Sequence, residues 1–207
     1  RGLEASLLAG AATGLGALPI LMLRRPSERL MAPMLGLAGG MMLAASLFSL
    51  LVPAVQTVAA SDMPWALGIA TAAALLAGVG AMQTLDRRLP HEHVEEVESS
   101  GMRPNVALVV TAIAIHNVPE GLAVGVAAAA GADHGMSLGI AIQNVPEGWI
   151  VASAMLALGA APLRAALIAL GTGLVEPVGG LFGVIASTVA GAALPLALAA
   201  AAGAMLW

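Results

Sequence analysis

No cysteine occurs among the 207 residues, which removes both a disulfide framework and a thiolate metal site. Lysine is missing too, so arginine alone supplies the fixed positive charge. Charged residues of both signs make up only 10% of the chain, against 59% hydrophobic residues and a mean hydropathy of +0.95. A soluble domain of this size needs far more polar surface. The net charge of −4 sits mostly in one segment and gives no reason to expect a nucleic-acid partner. The first apolar run, Leu3–Leu23, also lacks the cleavage pattern of a signal peptide and reads as a spanning helix. What these absences leave is an all-α polytopic membrane protein, with the lipid bilayer as its first partner.

The apolar runs expected to span are Leu3–Leu23, Leu30–Ala60, Pro64–Leu85, Val106–Gly131, Met136–Leu158, Leu163–Thr188 and Leu194–Trp207. A spanning helix needs about 20 residues. Pro33, Pro53, Pro119, Pro146 and Pro177 fall inside or near the ends of these runs, which membrane helices tolerate where neighbours satisfy the freed carbonyls. The last run would reach only about 21 Å, short of a hydrocarbon layer of ~30 Å. The chain also begins at Arg1 rather than methionine. Together these suggest a single transmembrane domain over residues 1–207, a bundle of about seven visible helices cut inside the seventh. The arginines set an orientation. Seven of the eight lie in loops on one side (Arg24, Arg25, Arg29, Arg87, Arg88, Arg103 and Arg164), and only Arg1 falls on the other. By the positive-inside rule those loops face the cytoplasm and the N-terminus faces out.

Residues 86–104 form the one charged linker, placed in the cytoplasm between the third and fourth spans. Its His91, His93, Glu92, Glu95, Glu96 and Glu98 could capture a divalent cation loosely. Nothing fixes their geometry, so a solvated spacer is the better reading.

The chemistry concentrates in a hexapeptide that occurs twice within oily sequence. His116-Asn117-Val118-Pro119-Glu120-Gly121 lies on the fourth span and Gln143-Asn144-Val145-Pro146-Glu147-Gly148 on the fifth. At about 100° per residue, Glu120 projects between His116 and Asn117, and Glu147 between Gln143 and Asn144. Facing each other, the two turns would place both glutamates centrally, with room for two adjacent cations sharing bridging carboxylates. Pro119 and Pro146 leave the carbonyls of Ile115 and Ile142 without their usual amide partners. Such carbonyls belong beside a polar cavity at membrane depth.

A third glutamate, in Glu176-Pro177-Val178-Gly179-Gly180, lies about 18 Å along the sixth span from Arg164, while His116 is about 16 Å past Asn105. Both positions are mid-membrane. Three acidic groups there cost roughly 7–10 kcal/mol on an insertion scale. A shared divalent cation would offset that cost, and so would protonation. A lone buried histidine usually just makes a hydrogen bond, and a lone glutamate can be packing. Four ionisable groups in register with Asn117, Gln143 and Asn144 are harder to dismiss as either. Gly10, Gly14, Gly171 and Gly183 are expected to be helix-packing notches. Met41 and Met42 are expected to be core filler, although a thioether beside the pathway can touch a soft cation. Asp133 and His134 are expected in a loop.

Two other classes compete with metal transport. An intramembrane metal-dependent hydrolase would use bound metal to activate water, but the chain has no His-Glu-x-x-His pair and no separate general base. A proton-coupled organic-cation carrier would use the same glutamates without metal. The mixed carboxylate, amide and imidazole set suits several divalent metals (Zn, Fe, Mn, Cd) without trapping them.

The paired hexapeptides and Glu-Pro-Val-Gly-Gly resemble the ZIP (Zrt/Irt-like) family of divalent metal transporters, in its prokaryotic branch. So do Ala12-Thr13-Gly14-Leu15-Gly16-Ala17-Leu18-Pro19 and Gly39-Gly40-Met41-Met42-Leu43-Ala44-Ala45-Ser46 on the first two spans. The resemblance covers essentially the whole chain. It implies eight helices in the complete protein, both termini outside the cell (inner) membrane, and zinc or a similar ion carried inward as substrate. His116, Glu120, Gln143 and Glu147, joined by Met42, would form one metal site. Asn117, Glu120, Asn144, Glu147 and Glu176 would form a second. Some relatives carry aspartate where this chain has Asn144, which makes the second site here less negative. The resemblance further implies a homodimer, with the first, fourth, fifth and sixth spans moving against the others.

Overall fold

The computed structural model describes residues 2–22, 28–88, 106–129, 131, 133–190 and 194–207, and among them every regular element is helical. The first span is α1 (Gly2–Ala17), tightened at its end into a 3-10 turn over Leu18–Leu21 that carries Pro19. The second is α2 (Glu28–Ala44), a π-helical stretch Ala45–Leu51, and α3 (Val52–Ala59). The π stretch has a local cause. Pro53 brings a ring and no N–H, and the preceding turn widens so that the Val52 amide reaches back to the Leu47 carbonyl. The third span is α4 (Pro64–Arg88), and the fourth and fifth are α5 (Val106–Ala129) and α6 (Asp133–Ala157). The sixth divides into α7 (Pro162–Gly173) and α8 (Glu176–Ala190), and α9 (Leu194–Leu206) follows. Pro64 and Pro162 open their helices, where a missing N–H costs nothing. Gly159, at φ 85°, turns the chain between α6 and α7.

Two groups of helices result. In one, α5 lies along α8, and α1 is packed between α6 and α7. In the other, α9 lies along α4 and touches α3 and the π stretch. Contacts of α2 with α6 and of α9 with α5 join the two groups. Glycine makes the closest crossings possible. A Cβ on Gly16 would overlap the Val145 carbonyl, and one on Gly148 the Thr13 carbonyl, so α1 and α6 meet backbone to backbone. Gly78 and Gly203 do the same for α4 and α9, against the carbonyls of Ala200 and Leu75. Close backbone approach through small residues is how helices associate where lipid removes the hydrophobic drive. The outer surface is correspondingly oily: Leu8, Phe48 and Trp65 are 72%, 70% and 72% exposed. Four stretches, Gly2–Leu21, Arg29–Ala59, Pro64–Arg88 and Pro162–Ser187, are long and apolar enough to cross a membrane. At 24 and 25 residues, α5 and α6 also have the length.

Several expectations need correction. The sixth span is not one helix: Leu174 and Val175 form a turn between α7 and α8. The third span runs on through Asp86, Arg87 and Arg88, which had been placed in the linker, because arginines at its last turn complement the helix dipole. Asp133 and His134 start α6 rather than lying in a loop. Gly10, Gly14 and Gly183 are packing notches, but Gly171 faces open space, with nothing within 4 Å of an added Cβ.

Candidate metal centre

Each hexapeptide forms one turn of an unbroken helix, with Pro119 inside α5 and Pro146 inside α6. Glu176 is the first residue of α8, directly after the break in the sixth span. The break is what brings it inward. Gly121 on α5 would overlap the Glu176 carbonyl if it carried a Cβ, and Gly179 on α8 would overlap the Val118 carbonyl. These reciprocal notches set the start of α8 against the first hexapeptide. From the other side, a Cβ on Gly10 would lie 3.4 Å from Oε1 of Glu176, so α1 also borders the centre.

Asn117, Asn144 and Glu176 are fully buried, Glu120 and Gln143 nearly so, and Glu147 and His116 partly. Nε2 of Gln143 donates to Oε1 of Glu120. Nδ2 of Asn144 donates to Oε1 of Glu176 at 2.5 Å and to the Ala9 carbonyl at 2.7 Å. The amide of Asn117 faces the Glu147 carboxylate without closing a hydrogen bond of good geometry. All three carboxylates lie within electrostatic reach of one another. The centre therefore ties α1, α5, α6 and α8 together through alternating carboxylates and amides.

Other polar atoms of the same side chains have no hydrogen-bond partner within the protein. Oδ1 of Asn117, Oε2 of Glu120, Oε1 of Gln143, Oδ1 of Asn144 and Oε2 of Glu176 are all buried without a hydrogen-bond partner. Buried oxygens without donors are costly. Five such oxygens on one centre supply hard donors, the chemistry that borderline and hard divalent cations accept. Among the described residues, no three His, Asp or Glu side chains gather closely enough to hold an ion by themselves. The amide NH₂ groups of Gln143 and Asn144 each meet one carboxylate, Glu120 and Glu176 respectively. Turning those amides over, a change of about 180° about one bond, would exchange the places of their oxygens and NH₂ groups and set oxygen where hydrogen now meets Glu120 and Glu176.

Of the expected ligands, the structure brings Asn117, Glu120, Gln143, Asn144, Glu147 and Glu176 together. Met42 packs against the apolar cluster that contains Ala9, Ala45, Met136 and Ile140. The His116 ring stacks on Trp207 of the α9 segment, with ring centroids 5.7 Å apart and planes at 15°. His91 and His93 lie outside the described residues. Three contributors were not anticipated: the Ala9 carbonyl, the notch at Gly121 and the indole of Trp207. A reading by helical angle sees only one helix at a time, and each of these depends on how two helices cross.

A helical bundle with oily outer faces and a buried, multi-carboxylate centre defines the class as a polytopic membrane protein with a polar centre inside the bundle. A family model described as ZIP zinc transporter matches residues 83–207. The chain is 47% identical to the zinc transporter GufA of Myxococcus xanthus over 214 aligned positions, covering 100% of this chain and 84% of GufA. It is 45% identical to the zinc transporter ZIPB of Bordetella bronchiseptica, covering 95% of this chain and 66% of ZIPB. Against the zinc transporter ZupT of Escherichia coli the figure is 34%, over 65% of this chain and 53% of ZupT. The chain belongs to the ZIP family, whose members are transporters and not enzymes.

Proposed function

We propose that this protein carries divalent metal ions, zinc foremost, across the cell (inner) membrane into the cytoplasm. The observation that supports this best is the set of five donor-less buried oxygens shared by Asn117, Glu120, Gln143, Asn144 and Glu176. The zinc-transporter names of its relatives point the same way. The substrate ion sheds its water onto Glu120 and Glu147. The amides of Gln143 and Asn144 rotate to present oxygen, and Glu176 and Asn117 complete the second of two adjacent positions. His116 supplies the one imidazole and Met42 a thioether beside the entry. Fe, Mn and Cd are further substrates, because a mixed oxygen and nitrogen set discriminates among these ions only modestly. Sites of this kind bind well enough to admit an ion and loosely enough to release it.

The N-terminus faces out, on the arginine bias, and the charged linker that follows α4 lies in the cytoplasm. The functional unit is a homodimer. Radiotracer zinc uptake into proteoliposomes tests the central claim. Uptake should fall to background when Glu120→Ala and Glu147→Ala are combined, and unchanged uptake would refute it.

A further inference from the structure

The His116 imidazole reaches across the boundary between the two helix groups. It sits one turn before Glu120 on α5, yet its ring lies nearly parallel to the indole of Trp207, at a centroid separation of 5.7 Å. Trp207 follows α9, and α9 is fixed mainly to α4, where Gly78 and Gly203 seat the two backbones in contact. Of the hexapeptide side chains, His116 is thus the one whose ring stacks on an aromatic group of the α4–α9 pair. Both rings are partly buried. Offset, nearly parallel stacking is a favoured geometry for aromatic pairs. The indole face is also the best of the natural aromatic faces for a neighbour carrying positive charge. An imidazole bound to a dication draws part of that charge into its ring.

We propose that Trp207 is a positioning residue for the substrate site: its indole orients the His116 ring and holds it more tightly once that ring ligates a metal ion. The inference rests on the metal-transport reading given above. It assigns a role to a residue outside both hexapeptides, and it links occupancy of the site to the relation between the two helix groups. The indole touches no ion itself. Its effect passes entirely through His116.

The test uses the full chain in detergent and zinc as the probe. Zinc binding is measured by equilibrium dialysis, and tryptophan emission is followed in the same titration. The native chain should show a saturable, zinc-dependent change in emission at the dialysis midpoint. That change should vanish in Trp207→Phe, although Trp65 and Trp149 remain, and it should vanish in His116→Ala. Trp207→Ala should weaken zinc binding about three- to tenfold, the range that one aromatic pair supports, and Trp207→Phe should restore most of the affinity. A melting curve for each variant separates loss of fold from loss of position. Zinc that binds with native affinity in Trp207→Ala, or binds the native chain without changing the Trp207 emission, would overturn the inference and leave the transport reading standing. Failure of the native chain to bind zinc at all would overturn both.

Discussion

Adding a single methyl group at Gly121 should damage the centre more than its size suggests. An alanine Cβ there would lie 2.6 Å from the Glu176 carbonyl carbon and 2.8 Å from its Cα, and would overlap the carbonyl oxygen outright. The carbonyl oxygen itself would lie 1.9 Å away and ordinary van der Waals contact begins near 3.4 Å, so the start of α8 must retreat by about 1.5 Å. Backbone, unlike a long side chain, has nowhere to swing. Overpacking of this kind costs about 1–3 kcal/mol. The retreat also carries the Glu176 carboxylate away from Asn144, whose Nδ2 stands 2.5 Å from it, and a ligand set needs its members within ~0.5 Å of their working positions. Gly121→Ala should therefore melt earlier and bind zinc at least about tenfold more weakly. Gly171→Ala is the matched control, because its added Cβ meets nothing within 4 Å. Glycine is the poorer helix former by about 1 kcal/mol in water, so this change should be neutral or mildly stabilising. Melting curves and zinc titrations on both variants decide the matter. Native affinity and melting temperature in Gly121→Ala would show that the contact between α5 and α8 does not position Glu176.

Zinc at a hundred times its dissociation constant should stabilise the native chain by about 2.7 kcal/mol, read as a melting shift that disappears in Glu120→Gln. An equal shift in both would place the bound ion elsewhere. Asn144→Ala strips partners from the Glu176 carboxylate and the Ala9 carbonyl at once. It should cost about 2–4 kcal/mol, and a melting temperature within a degree of native would count against that bridge. Asn144→Asp puts a second carboxylate against Glu176. It should destabilise the metal-free chain while tightening zinc binding, and calorimetry showing weaker binding would contradict the expected geometry.

Much of this was legible in the sequence because membrane insertion leaves so few options. Polar groups at mid-span in α5 and α6 stand out against apolar neighbours, and helical angles alone place Glu120 between His116 and Asn117. The break before Glu176 was harder to see. Leu174-Val175 contains no strong breaker, and Pro177 reads equally well as a kink or as the first turn of a new helix. The notches at Gly121 and Gly148 went unread for a different reason. A glycine next to a functional glutamate looks like part of its motif, and only a crossing partner reveals that it is there for the backbone of α8 or α1. Gly171 shows the reverse, since a small residue in the right register carries no information until the facing helix is known.

On the proposed reading, the amides explain how such a centre can ever be empty. Three ionised carboxylates in a low-dielectric interior repel one another unless a dication or protons neutralise them. Gln143 and Asn144 change that balance. Each ends in a group that is a donor on one side and an acceptor on the other. In the structure the NH₂ groups of Gln143 and Asn144 cap Glu120 and Glu176. With an ion present, the same side chains can offer oxygen. The metal then competes against a hydrogen bond rather than against an unsatisfied charge, and its net affinity is reduced by what that hydrogen bond contributes. An aspartate in place of Asn144 would lack the donor, could not cap Glu176, and would favour the loaded state. The amide at position 144 thus favours release over retention, which is what a carrier requires and a structural metal site does not.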